Sequence, residues 1–358
     1  MEERKKIVNR YISKGMKATK AAQIAGFSRS GYYYKSKGRK AGKRPTGTTL
    51  KKDGSAIDNS TVVEEIKTIL RPDFIDYGYE KVTADLHKKG YVINRKKVYR
   101  LMKEKHLLNP KLIISKQSKD YAKYSQPCPS QPFEMFELDI KYIYIRGDRR
   151  NAYLITILDV FTRGAMVWDL SYSMKKERVI ALIDQLIMEH LQPRDLLNKN
   201  VSVTVRTDNG SQFVAKAVRE HLKENHIFQE FTRPATPQQN GYIESFHSTV
   251  EKLVCQKFEF ESLAHAREVF TKFFEAYNKE RILKCLLYKT PDEFLKDWDD
   301  NKIAVVYHVK TRKQKFFFRE KQNIEPVLLP SRRNFLLGND KDNMNKNNLY
   351  NCNLNQSK

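Results

Sequence analysis

Cysteine is scarce. The four residues, Cys128, Cys255, Cys285 and Cys352, are scattered through 358 positions without a C-x₂-C pair, which argues against both a disulfide framework and a cysteine-built zinc knuckle. Long apolar runs are missing too: no stretch reaches the roughly 18 residues a bilayer span needs. The opening Met1-Glu-Glu-Arg-Lys-Lys-Ile-Val8 has no apolar signal core. The expectation is a cytoplasmic protein with no membrane partner. Neither a P-loop Gly-Lys-Ser/Thr nor a G-x-S-x-G elbow occurs, so no nucleotide cofactor is expected. The histidines fall outside metal-ligand spacing, with His221 and His226 five apart and His87 and His106 nineteen apart. Acid is short relative to base, and the net charge is +25. The imbalance is local: residues 1–132 carry 31 Lys and Arg against 12 Asp and Glu, whereas residues 133–358 carry 36 against 30. A basic surface gains affinity for DNA by releasing counterions from its phosphates; a merely soluble, highly charged surface is the plain alternative.

What the sequence does have is three carboxylates in telling places. Asp139 lies within the apolar run Glu137-Leu-Asp139-Ile-Lys-Tyr-Ile143. Asp208 ends the β-like Val201-Ser-Val-Thr-Val-Arg-Thr-Asp208 before Asn209-Gly210, and Glu244, separated from it by 35 residues, opens a helix-like segment. A carboxylate in a strand is costly to bury unless it is paired or bound to metal, and strand ends are where α/β sheets place ligands. Carboxylate oxygens are hard ligands suited to Mg²⁺. Three that converge could hold two ions roughly 3.5 to 4 Å apart, the arrangement that promotes in-line phosphoryl displacement. Taken singly, Asp208 also fits an ordinary turn residue, and Glu244 an N-terminal charge on a helix dipole. Asp159, after Leu154-Ile-Thr-Ile-Leu158, is the main decoy and is assigned a structural turn.

Along the chain, residues 1–36 read as a small helical unit. Ala18 to Ile24 and a Ser28-capped aromatic segment flank Gly26, in the manner of a helix-turn-helix whose second helix enters the major groove. Arg29, Ser30 and Lys35 would face DNA while Phe27, Tyr32 and Tyr33 pack; a generic helical hairpin fits the same pattern. Residues 37–58 are expected to be a flexible basic linker. Residues 59–110 form a second helical unit, with Val62, Val63, Ile66 and Ile69 at helical spacing, and Asn94 caps a final helix that carries Arg95, Lys96, Lys97 and Arg100. That face suits DNA or plain solvent. A proline-bearing connector covers 111–132. From 133 to 300, strands are expected at 134–145, 152–159, 165–170, 201–206 and 227–231. Helices are expected at 174–191, 212–224 and 261–278 and from about Gln239. This is a mixed α/β layer. Residues 301–337 would form a small basic appendage with one or two strands, and the Asn-rich 338–358 a disordered tail. At the start of the Glu244 helix, free backbone N–H groups favour phosphate and bring Asn240 and Gly241 near DNA.

Several segments carry a family resemblance. Val205-Arg-Thr-Asp208-Asn-Gly-Ser-Gln-Phe213, Thr236-Pro-Gln-Gln-Asn-Gly-Tyr-Ile-Glu244-Ser-Phe246, Tyr277-Asn278 with Arg281, and Thr290-Pro-Asp-Glu-Phe294 resemble successive blocks of the integrase core. Their order is that of bacterial DDE transposases of the insertion-sequence-three family. Upstream, Tyr77-Gly-Tyr79 to Leu86 and Asn94 to Met102 resemble the helix-turn-helix before that core. The resemblance implies an RNase H-like integrase core preceded by small all-α helix-turn-helix domains. It further implies a triad of Asp139, Asp208 and Glu244, and dependence on Mg²⁺, which Mn²⁺ can replace. The implied activity is cleavage and strand transfer of insertion-sequence ends, by a homo-multimer on paired ends that binds double-stranded DNA of the element and the target. The chain would act in the bacterial cytoplasm, on the nucleoid when bound. Two rivals stay open: an RNase H-like nuclease, and a transposase-derived DNA-binding regulator without catalysis. The chain departs from the family seven residues after the glutamate, where a base is usual and Glu251 stands. Counting 3.6 residues per turn, Lys252 is expected to take over that phosphate contact, with Glu251 turned aside or paired with a base.

Overall fold

A computed structural model describes residues 2–34, 45–110, 127–197, 202–233, 237–308 and 313–319. Lys35, most of the 111–132 connector and the 338–358 tail lie outside them. The chain divides into two compact units, Met1–Gly47 and Thr48–Lys358.

The first unit holds α1 (Glu2–Ser13), α2 (Ala18–Ile24) and α3 (Arg29–Tyr33). Its core is small: Val8, Ala21 and Ala22 are buried, with Tyr11, Ile12, Met16 and Tyr32 against them. Gly26 makes the turn before α3 at φ +59°, a conformation that costs glycine nothing. Ser28 caps α3 by accepting from the Gly31 N–H. Tyr32 packs and donates to Asn9 at 2.6 Å. Tyr33, expected to pack, is 58% exposed, because a five-residue helix has only one turn and buries one side of it.

The second unit opens with a departure from expectation. Residues 48–58 are not a linker: β1 (Thr48–Lys51) and β2 (Ala56–Asp58) form an antiparallel hairpin. Asp53 accepts from the Ser55 N–H at 2.9 Å, and Gly54 turns at φ +85°, a local turn signal that outweighs the flanking lysines. The hairpin leads into α4 (Asn59–Leu70), α5 (Tyr79–Lys88), β3 (Tyr91–Val92) and α6 (Arg95–Glu104). Because β3 pairs with β1, this DNA-binding-like unit is not purely helical. Asn94 does cap α6, accepting from Lys96 N–H at 2.8 Å. Val62, Ile66, Val82, Leu86, Val98 and Met102 fill its interior.

The core strands are β4 (Met135–Ile145), β5 (Arg150–Asp159), β6 (Ala165–Ser171), β7 (Thr204–Thr207) and β8 (Phe228–Phe231). They lie in the order β6-β5-β4-β7-β8: an antiparallel meander of three, then two strands parallel to β4. One face is covered by α7 (Lys176–Leu186) and, after α8 (Ser211–Val214), by α9 (Lys216–Glu224). The single helix expected over 212–224 is broken where Ala215 is extended (ψ 131°), and α7 runs on as a π-helical turn, Ile187–Leu191. The other face is covered by α10 (Gly241–Val250) and α11 (Leu263–Lys279). A helix not foreseen, α12 (Pro291–Asp299), starts at a capping box between Thr290 and Glu293 with Pro291 in its first turn. Then β9 (Ile303–His308) and β10 (Lys313–Phe318) pair antiparallel, and Phe316 sits 5.0 Å from Phe161 and 4.8 Å from Phe294 between ring centres.

The helical unit of residues 59–110 is built onto this core. Ile282, just past α11, belongs to its apolar cluster, and Phe74 packs edge-on to Phe273 at 5.5 Å. The Tyr77 hydroxyl donates to the Glu280 carbonyl at 3.0 Å and accepts from the Ile282 N–H at 2.7 Å. Asp76 binds Arg281 at 2.8 Å and Lys252 at 2.6 Å. Burial draws the Asp76 carboxyl upward, but the two cations outweigh it and hold it at about 2.

Candidate active site

Asp139 stands in the middle of β4, paired across to Thr156 on β5. On its other side β4 runs parallel to β7, with Glu137 opposite Arg206. Two residues further along each strand lie Asp139 and Asp208, so alternation turns both carboxylates to the same face as Glu137 and Arg206. Asp208 is exposed just past the end of β7, its Oδ1 accepting from the Gly210 N–H at 2.9 Å. Glu244 is exposed in the first turn of α10, which crosses that face. Burial and the neighbouring Asp139 charge both push the Glu244 carboxyl above its ordinary value. The Glu244 side chain has no hydrogen bond or ion pair to a described residue. His247, one turn along α10, places Nδ1 3.4 Å from Asp139 Oδ2.

These donors suit a divalent cation. Asp139 and Glu244 are like charges within electrostatic reach, and hard oxygen ligands are what Mg²⁺ and Mn²⁺ take. Among the described residues, however, no three acidic, His or Cys side chains are gathered tightly enough to bind an ion. Asp139 and Glu244 are brought together; Asp208, just past the end of the adjoining strand, does not complete a ligand cluster. Asp159 is fully buried and accepts from Phe133 N–H, Thr162 N–H and Thr162 Oγ1–H, the structural turn expected of it.

The other expected site residues divide. Arg29 and Ser30 are exposed on α3, and Arg95 and Lys96 at the start of α6. Arg95 lies 3.7 Å from Glu80, and Arg100, half-buried, 3.7 Å from Glu104. Lys97, half-exposed, donates its ammonium to the Thr48 carbonyl. Asn240 is not on the surface that DNA contact requires. It is 6% exposed, with Oδ1 buried and unpartnered, at the end of the Pro237–Asn240 turn that leads into α10.

Lys252 also departs from expectation. The α-helix ends at Val250 and Glu251–Cys255 form a π-helical turn, in which Gln256 N–H reaches Glu251 O at 2.9 Å. Counting by 3.6 residues therefore fails from Glu251 onward. Glu251 pairs with Lys141 at 2.9 Å, as one branch of the expectation had it, but Lys252 is held by Asp76.

Reading the sequence missed two buried ions beside the triad. Glu137 is fully buried, and its Oε2 accepts from the Tyr242 and Ile243 N–H groups at 3.1 and 2.8 Å. Burial pushes its carboxyl to about 7, against the Ile243 hydrogen bond and the Arg206 charge. Arg206, buried on β7, holds Glu230 Oε2 at 3.1 Å and the Gln239 carbonyl at 2.6 Å. A charged residue inside an apolar run was the signal available, in Phe136-Glu-Leu138 and Val205-Arg-Thr207.

A mixed five-stranded sheet with one carboxylate on its central strand, another just past the end of the neighbouring strand and a third on a crossing helix is the frame of a DDE-class polynucleotidyl transferase. The sequence comparisons agree. Residues 129–237 and 225–291 match integrase core domain families, and residues 58–111 match an HTH-like domain. The transposase for insertion sequence element IS904 of Lactococcus lactis is 27% identical over 257 residues, 67% of this chain and 95% of that protein. The insertion element IS407 31.7 kDa protein of Burkholderia multivorans is 27% identical over 218 residues, 61% of this chain and 75% of that one. The catalytic domain of Mos1 mariner transposase aligns at 16% identity with a TM-score of 0.35, over 46% of this chain and 74% of its own. Residues 129–291 thus carry an integrase core and residues 58–111 an HTH-like domain, and the chain is similar to transposases of the insertion-sequence-three type. Cores of this class are metal-dependent. Among the described residues no helix is long and apolar enough to cross a membrane.

Proposed function

We propose that Asp139, Asp208 and Glu244 are the catalytic triad and that Mg²⁺, or Mn²⁺ in its place, is the cation they hold. The observation that carries this reading is the approach of Glu244 to Asp139, close enough that the Asp139 charge adds to burial in raising the Glu244 carboxyl, with Asp208 just past the end of the strand beside β4. Bound there, the cations would neutralise the phosphodiester and favour in-line displacement. The protein's share is to present three carboxylates on rigid strands and a helix, and to keep them in register.

In this reading water is the nucleophile for cleavage, and the freed DNA 3′-hydroxyl is the nucleophile for joining to target DNA. The exposed Arg29 and Ser30 of α3, and Arg95 and Lys96 at the N-terminus of α6, would contact phosphates of the element's double-stranded ends. Residues 59–110 would read DNA and 133–300 would perform the chemistry, in a cytoplasmic homo-multimer on paired ends.

The test sets strand transfer of pre-cleaved ends beside gel-shift affinity. Asp139→Asn, Asp208→Asn and Glu244→Gln should each abolish cleavage and joining while leaving end binding within about threefold, since they remove cation ligands rather than phosphate contacts. Robust joining by any one variant removes that residue from the triad. Products of hydrolysis alone from the parent chain, with no joined strands, favour a nuclease.

A further inference from the structure

We propose that Glu137 and Arg206 are positioning residues: a buried pair that sets the register of α10, and with it the place of Glu244 against Asp139 and Asp208. This rests on the triad reading above. The two residues are direct partners in the β4–β7 ladder. Each lies two positions before a triad aspartate on its own strand, and so on the same face. Both reach the entry to α10. From β4, Glu137 Oε2 takes the N–H groups of Tyr242 and Ile243, the two residues immediately before Glu244. From β7, Arg206 Nη1 donates to the carbonyl of Gln239, just ahead of the helix. Its Nε and Nη2 are fixed by Glu230 Oε2 on β8 at 3.2 and 3.1 Å.

The grip acts at the entry to α10, where the Arg163 guanidinium also stacks on the Tyr242 ring at 3.5 Å. Asn240, at the N-cap position, makes no side-chain capping bond, and the first N–H groups of a helix need partners. Glu137 supplies them from the sheet rather than from the helix's own sequence. The strands that carry the two aspartates therefore also hold the helix that carries the glutamate. Displacement of Glu244 by about 1 Å would be expected to cost on the order of 100-fold in rate.

The experiment uses the full chain. Glu137→Met keeps the volume and removes the acceptor; Glu137→Gln restores an oxygen to the two N–H groups. Strand transfer by Glu137→Met should fall on the order of 100-fold in kcat, with KM for the DNA end unchanged, and Glu137→Gln should recover most of it. Amide exchange at Tyr242 and Ile243 should accelerate in Glu137→Met alone, a readout that does not depend on the triad being catalytic. Arg206→Met, which frees the Gln239 carbonyl and leaves Glu137 in place, should lose kcat in the same way and serves as the second arm if Glu137→Met does not fold.

Unchanged exchange at Tyr242 and Ile243 overturns the proposal. So does a Glu137→Gln variant as slow as Glu137→Met, or full activity in Arg206→Met. Glu244→Gln is run in parallel. If it joins DNA normally, the triad reading has failed, whereas an inactive Glu244→Gln beside a fully active Glu137→Met means that only the positioning role has failed.

Discussion

The two helical units ahead of the catalytic sheet are built differently. The first buries three residues, Val8, Ala21 and Ala22, and ends in a five-residue helix. It forms a compact unit of its own. The second has a full apolar interior that takes in Ile282 from the catalytic region, together with a buried ionic contact at Asp76 and Arg281. Local helix signals of similar strength thus yield a small separate body in one case and part of the catalytic body in the other. What separates them is apolar area, since burial is what fixes one element on another.

The largest effect expected is on folding itself. A chain beginning at Thr48 should keep the thermal stability of the second unit, whereas one beginning at Gln131 uncovers Ile282 and the Phe273 face under Phe74 and should aggregate or melt far lower. Scanning calorimetry of both fragments decides this. Equal melting of the two would mean that the second helical unit is as separate as the first.

Next comes Asp76→Ala. It leaves the Arg281 guanidinium buried, with the Phe74 carbonyl as a remaining partner, and losing one member of a buried pair costs about 3 kcal/mol. Denaturant unfolding should show that loss, while the first unit, expressed alone, melts as before. A change below about 0.5 kcal/mol, the range of an ordinary surface substitution, would remove the contact from the explanation.

The same carboxylate gives a pH signature. Its folded value, about 2, lies below the ordinary 3.8, so its contribution is complete above about pH 4 and is lost as the pH falls toward 2. The amount is about 2 kcal/mol. Unfolding of the second unit should steepen over that window, and Asp76→Asn should flatten the curve. A curve identical in the variant contradicts the assignment.

Smallest is Lys252→Ala. Its ammonium is half exposed and paired with Asp76, so stability should fall by less than about 1 kcal/mol. End binding should hold, against the expectation that this residue clamps phosphate. Gel-shift affinity reduced tenfold would restore the DNA role.

Elements with strong local signals were legible in the chain. Alternating runs became β4 to β8, the Val62-Val63-Ile66-Ile69 spacing became α4, and Ser28 and Asn94 capped their helices. The sequence also marked the three carboxylates, because an acid in an apolar run or at a strand end stands out against its neighbours. It did not reveal the hairpin at 48–58, where an Asp-Gly-Ser turn outweighs the flanking lysines, or the π-turn at Glu251, where packing against the sheet outweighs the ordinary helical period. Which charges meet follows from the folded arrangement alone. Glu137 and Arg206 become partners through the β4–β7 ladder across 68 intervening positions, and Asp76 meets Arg281 across a longer interval still. Such pairings depend on strand order and on which apolar faces close on one another, and no local periodicity in a single chain encodes that distance.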